Sequence, residues 1–120
     1  MSRRYLTLLE AETSLSRGKT VEIFLGPFTC NSEKCIRWAS LSKSEAGVAG
    51  NLWEVFDQGS IGYVDVYTFD SPSGEYYEPI KSVAAETIKS AALELGIKDF
   101  NFINQGIVQE EYADFLSSSI

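Results

Sequence analysis

NLWEVFDQGSIGYVDVYTFD, residues 51–70, sets two runs of aromatic and β-branched residues around Gln58 to Gly62, where two glycines can supply positive φ. The economical reading is an antiparallel hairpin. In its second run Tyr63, Asp65, Tyr67 and Phe69 share one face, and Val64, Val66 and Thr68 share the other. The valines are expected in the core, and the turn residues SPSGE at 71–75 end the sheet.

Upstream, TVEIFLGPF at 20–28 alternates Val21, Ile23 and Leu25 against Glu22 and Phe24, then breaks at Gly26 and Pro27. This predicts a strand with a terminator. CIRWASLS at 35–42 puts Ile36 and Trp38 on one side and Arg37 on the other, so it reads as the second strand of a first hairpin. At the N-terminus, Tyr5, Leu8, Leu9, Ala11 and Leu15 lie close to a helical stripe, with Gly18 placed for a C-cap. A strand through YLTLLE is the alternative there.

Downstream, PIKSVAAETIKSAALEL at 79–95 predicts a helix with Ile80, Ala84, Ile88, Ala91, Ala92 and Leu95 inward, closed by Gly96 and Ile97. Phe100, Phe102 and Ile103 form a candidate short fifth strand. Gly106 then allows a turn into a last helix with Val108, Tyr112, Phe115 and Leu116 at core spacing. Asn104 and Gln105 are expected to satisfy orphan amides where that helix starts. Strands grouped in the middle and helices at the flanks give the α+β class. The expectation is one domain over residues 1–120, with a mostly antiparallel sheet of four to five strands. N-terminal, central and C-terminal helices pack on it, leaving one face covered and one partly open.

Composition narrows function. The 120 residues are 44% hydrophobic and 22% charged, which is ordinary for a globular chain, but the net charge is −7. Residues 1–43 carry seven bases against four acids, whereas residues 44–120 carry three bases against thirteen acids. An acidic surface of this kind repels phosphate, so no nucleic-acid partner is expected. No apolar run is long enough for a membrane span and acids interrupt the start, so a cytoplasmic protein without membrane association is expected. Cys30 and Cys35 are read as two reduced thiols, with a redox pair as the alternative; with no histidine in the chain, zinc lacks a ligand set, and no metal or cofactor is expected.

The missing histidine also removes imidazole-based catalysis, and phosphate-loop and nucleophile-elbow motifs are absent. What remains is carboxylate chemistry, best represented by Asp65 between Tyr63 and Tyr67, with Glu54 and Asp57 as neighbours for a paired-carboxylate arrangement. No catalytic residue is assigned. The leading expectation is a non-enzymatic, acidic protein-binding module, by charge and size an inhibitor of immunity-protein type that covers a basic partner such as a nuclease toxin. Its candidate contacts are the acids Asp57, Asp65, Asp70, Glu110, Glu111 and Asp114, with Tyr63 and Tyr67 as aromatic anchors. The alternative is a small-molecule binder or weak carboxylate-dependent hydrolase on the Tyr63, Asp65 and Tyr67 face; a homo-oligomer is a third reading.

Overall fold

The computed structural model describes residues 5–30, 32–45, 47–60, 62–70 and 79–118, and the SPSGE turn with Tyr76 and Tyr77 lies outside them. Among the described residues the elements are α1 (Leu8–Ser16), β1 (Val21–Cys30), β2 (Glu33–Ser44), β3 (Gly47–Phe56), a 3-10 turn (Val66–Thr68), β4 (Lys81–Ala85), α2 (Ile88–Glu94), β5 (Ile103–Asn104) and α3 (Val108–Ser118). The strands form one antiparallel sheet in the order β4-β3-β2-β1-β5. The α+β architecture with N-terminal, central and C-terminal helices is therefore the one expected.

Thr7 settles the N-terminal alternative. Its hydroxyl accepts from the Glu10 N–H at 3.1 Å while the Glu10 carboxylate accepts from the Thr7 N–H at 2.9 Å, a capping box that starts α1 at Leu8. Of the described residues before it, only Leu6 pairs in β fashion, through one bridge to Phe102.

Three expectations are corrected. The first is the hairpin of residues 51–70. Its first run is β3, but β2 occupies one edge of β3 from Gly47 to Phe56 and β4 occupies the other from Val48 to Leu52. The second run folds instead through a Ser60 to Tyr63 bridge and the 3-10 turn, burying Val66 and Phe69 against the sheet face. Tyr63, Asp65, Tyr67 and Phe69 thus do not line a strand.

The second correction concerns 79–95, where only the C-terminal half is helical. Lys81–Ala85 pair with β3 and supply its outer ladder, whose N–H and C=O groups would otherwise lack partners. Thr87 then caps α2 by accepting from the Ser90 N–H at 3.1 Å. The end is as read: Gly96 takes φ +85°, and its N–H and that of Ile97 bond to Leu93 and Ala92 carbonyls at 3.0 Å each, a Schellman closure.

Third, β1 does not stop at Gly26 and Pro27. A register shift between Phe24 and Gly26 carries it on to Cys30. Proline is tolerated because β5 pairs with β1 only at Val21 and Glu22, leaving no described partner for an N–H at position 27 on that side.

The sheet separates two cores. Ala11 and Leu15 of α1 and Ile88, Ala91 and Ala92 of α2 pack with Ile23, Leu41 and Leu52 on one face. On the other, Val108 and Tyr112 of α3 join Val66 and Phe69 over Ile36, Trp38, Val55 and Ile103. That second face is covered over β1 and the adjoining part of β2, and half-exposed Ser40, Ser42, Ala49 and Asn51 occupy the remainder.

Candidate functional site

The layer over the second face carries every candidate contact residue. Two tyrosine–carboxylate pairs pin it to the sheet. Tyr67 donates to both oxygens of Glu22, at 2.7 and 2.9 Å, and the Gly106 N–H donates to the same carboxylate at 2.9 Å. Tyr112, fully buried, donates to Asp57 and accepts from the Gly59 N–H at 3.0 Å. One pair fixes the 3-10 turn and the entry to α3 on β1, and the other fixes α3 on the end of β3.

Electrostatics follow from this burial. Glu22 is only 2% exposed, and burial raises its carboxyl above the ordinary glutamate value, against the Gly106 N–H and the Tyr67 hydroxyl, which pull it down. Burial also raises both phenols, with Glu22 adding at Tyr67 and Asp57 adding at Tyr112. The two phenols keep their protons and donate them to the carboxylates, and the pairs position backbone, a structural task. Glu22 and Tyr112 are what sequence reasoning missed. The signal for Glu22 was the run VEIFL, whose polar member shares its strand face with Phe24 and therefore with a covered surface.

The predicted contact residues divide accordingly. Tyr67 is half-buried, its ring set edge-on to Trp38 at 5.1 Å and 85°, so it tethers the layer. Tyr63 is 49% exposed and rests its ring on Phe69 at 5.9 Å, with its hydroxyl on Thr68. Asp57 is bonded to Tyr112, and Asp65 accepts from the Gln109 side chain at 3.1 Å, joining the 3-10 turn to α3. Asp70 is exposed and exchanges bonds with Gln58, its carboxylate at 3.0 Å and its N–H at 2.7 Å. Glu110 and Asp114 are exposed along α3, and Glu111 accepts from the Tyr5 hydroxyl at 2.7 Å. Asn104 and Gln105 are exposed, and at the turn the Asn104 carbonyl, not an amide side chain, accepts from the Ile107 N–H at 3.1 Å.

Glu54 does not join Asp65. It accepts from Arg37 at 2.7 Å and 2.5 Å on the opposite face, beside Leu25, Leu95 and Ile97. The paired-carboxylate arrangement is therefore not formed.

Charge is segregated by layer. Residues 5–19 and 79–99, which supply α1, β4 and α2, hold five acids (Glu10, Glu12, Glu86, Glu94, Asp99) and five bases (Arg17, Lys19, Lys81, Lys89, Lys98). Residues 57–60, 62–70 and 105–118, which supply the 3-10 turn and α3, hold Asp57, Asp65, Asp70, Glu110, Glu111 and Asp114 and no base. Among the described residues the first set of segments is balanced and the second is acidic, with Lys34 of β2 bordering the second beside Asp57. Among the described residues no helix is long and apolar enough to cross a membrane. Comparison with protein-family models, with curated proteins and with solved structures finds no match.

Proposed function

We propose that this protein is a non-enzymatic binding module whose α3 layer covers a basic protein, most concretely an inhibitor of immunity type acting on a cationic nuclease. The observation that carries the reading is the asymmetry of the described segments: those of the 3-10 turn and α3 contribute six acids and no base to their layer, which Lys34 of β2 adjoins, against five acids and five bases in those of α1, β4 and α2. A one-signed surface raises encounter rates with an oppositely charged partner and rejects like-charged ones. Tyr63, exposed within that layer, is the aromatic anchor, since tyrosine buries large area at small rotamer cost. Fixing the layer by Tyr67–Glu22 and Tyr112–Asp57 keeps the acids in one arrangement before the partner arrives, which lowers the ordering cost of binding.

The test is titration calorimetry of the full chain against a panel of basic nucleases, with polylysine as the unspecific polycation. The reading expects saturable one-to-one binding to a nuclease, weakened by salt and by Glu110→Lys, and loss of nuclease activity in the complex. Binding to polylysine alone contradicts it.

A further inference from the structure

Cys30 closes β1, Cys35 lies in β2, and both are free thiols. A two-residue connection at 31–32 joins the strands, with Ser32 at φ 69°. Cys30 faces Glu33 and Phe28 faces Cys35 across the ladder. Residues two apart on a strand share a face, so Cys30 and Cys35 are diagonal neighbours on one face of the hairpin. Diagonal neighbours stand about 7–8 Å apart between Cα atoms and less between Cβ atoms, just beyond the ~3.5–4.5 Å between Cβ atoms that a disulfide uses. Closing the bond therefore takes a movement of Cys30, the last residue of β1, toward Cys35, which is paired on both sides, to Phe28 and to Phe56.

The closeness is also felt electrostatically. Burial raises the Cys35 thiol, then Cys30, Glu54 and Glu33 raise it further, while the Cys30 backbone N–H acts in the opposite direction. Access is divided between the two. Cys30 is half-buried, whereas Cys35 has no accessible surface, its side chain on the strand face it shares with Arg37. The Asp57 N–H bonds to the Lys34 carbonyl at 2.9 Å, so this hairpin end is tied to the start of the acidic layer.

We propose that Cys30 and Cys35 are a reversible redox pair, closing a cross-strand disulfide on exchange with a small disulfide of the glutathione class. The Cys30 thiolate attacks one sulfur of the small disulfide; a mixed disulfide forms on Cys30 and one small thiolate leaves, taking up a proton. Cys35, after giving its proton to solvent, attacks the Cys30 sulfur. The Cys30–Cys35 bond forms as the mixed disulfide breaks, and a second small thiolate leaves and is protonated. Two protein thiols are oxidised, and one small disulfide is reduced to two thiols.

The test equilibrates the full chain in mixtures of oxidised and reduced glutathione, blocks free thiols, and digests with trypsin without reduction. Cleavage after Lys34 separates the cysteines, so the disulfide joins residues 20–34 to residues 35–37 in one species that a reductant splits. The expected result is that species, together with an intact monomer lighter by two hydrogens and reversal by added reduced glutathione. Cys35→Ser is expected to accumulate a glutathione adduct on Cys30, and Cys30→Ser, altered at the accessible position, to stay unmodified. A wild-type chain that keeps a stable Cys30 adduct, forms covalent dimers, or remains a dithiol in mixtures that oxidise the urea-unfolded chain overturns the proposal.

Discussion

The Tyr67 hydroxyl lies 2.7 Å from Glu22 Oε1, the same oxygen that the Gly106 N–H reaches at 2.9 Å, although the three residues come from a 3-10 turn, a strand and a helix entry. The Glu22 carboxylate is therefore the joint of the acidic layer. Tyr67→Phe removes one of its donors while the carboxylate stays buried. The expected loss is about 1–3 kcal/mol of unfolding free energy, the usual cost of a buried polar group left short of a partner, read from urea unfolding. In Glu22→Gln the same tyrosine change is expected to cost less, and equal costs in the two backgrounds contradict the coupling.

Glu22 also sets a pH dependence. Its folded carboxyl is held above the ordinary 4.5 chiefly by burial, so the folded chain binds this proton more tightly than the unfolded chain. Where the native state binds more protons, stability falls as pH rises. The contribution is full below pH 4.5 and is lost as pH climbs through the raised folded value. The stability curve of Glu22→Gln is expected to lack that decline, so the variant gains on its parent from about pH 4.5 upward and then holds a constant offset. Parallel curves for the two proteins contradict the assignment.

Gly59 is required by close approach. A Cβ there would fall 2.4 Å from Tyr112 Cε2 and 2.6 Å from both the Tyr112 hydroxyl and the Tyr63 carbonyl. Gly59→Ala is expected to cost about 1–3 kcal/mol, as overpacking does, and to lower the melting temperature. Gly62→Ala, three residues on, meets nothing within 4 Å and is expected to leave it unchanged.

Thr87 tests where α2 begins. Thr87→Ala removes the side chain that accepts from the Ser90 N–H and is expected to cost about 1 kcal/mol by thermal unfolding. A helix continuous from Pro79 would place Thr87 in its interior and make the change neutral or stabilising.

Much of this fold was legible because one-sided apolar spacing reports burial directly. The α3 stripe of Val108, Tyr112, Phe115 and Leu116 packs inward as its period implies, and Gly96 and Ile97 end α2 by chemistry that needs only local residues. The errors arose where strand pairing decides. YVDVYTF has strand-like residues, but β3 had no free edge for it beside Val48–Leu52, and edge occupancy is not local information. KSVAA looked helical because alanine suits helices, yet an edge strand was needed there. The candidate acids were legible as a charge imbalance along the chain, and their collection onto one layer follows from how α3 and the 3-10 turn dock. Glu22 was hidden because an acid in an alternating strand reads as solvent-facing until something covers that face.

The central claim, that the acidic layer and not the overall charge recognises a basic partner, is tested most directly by capture from native lysate at low and high salt. The baits are the wild-type chain, an Asp65→Lys/Glu110→Lys double variant, and Glu12→Lys/Glu94→Lys, which changes the net charge equally on the balanced layer. The account predicts that wild type and the Glu12/Glu94 variant retain the same basic protein at low salt, releasing it at high salt, while the Asp65/Glu110 variant retains none. Equal weakening by both variants, or no basic protein on any bait, contradicts it.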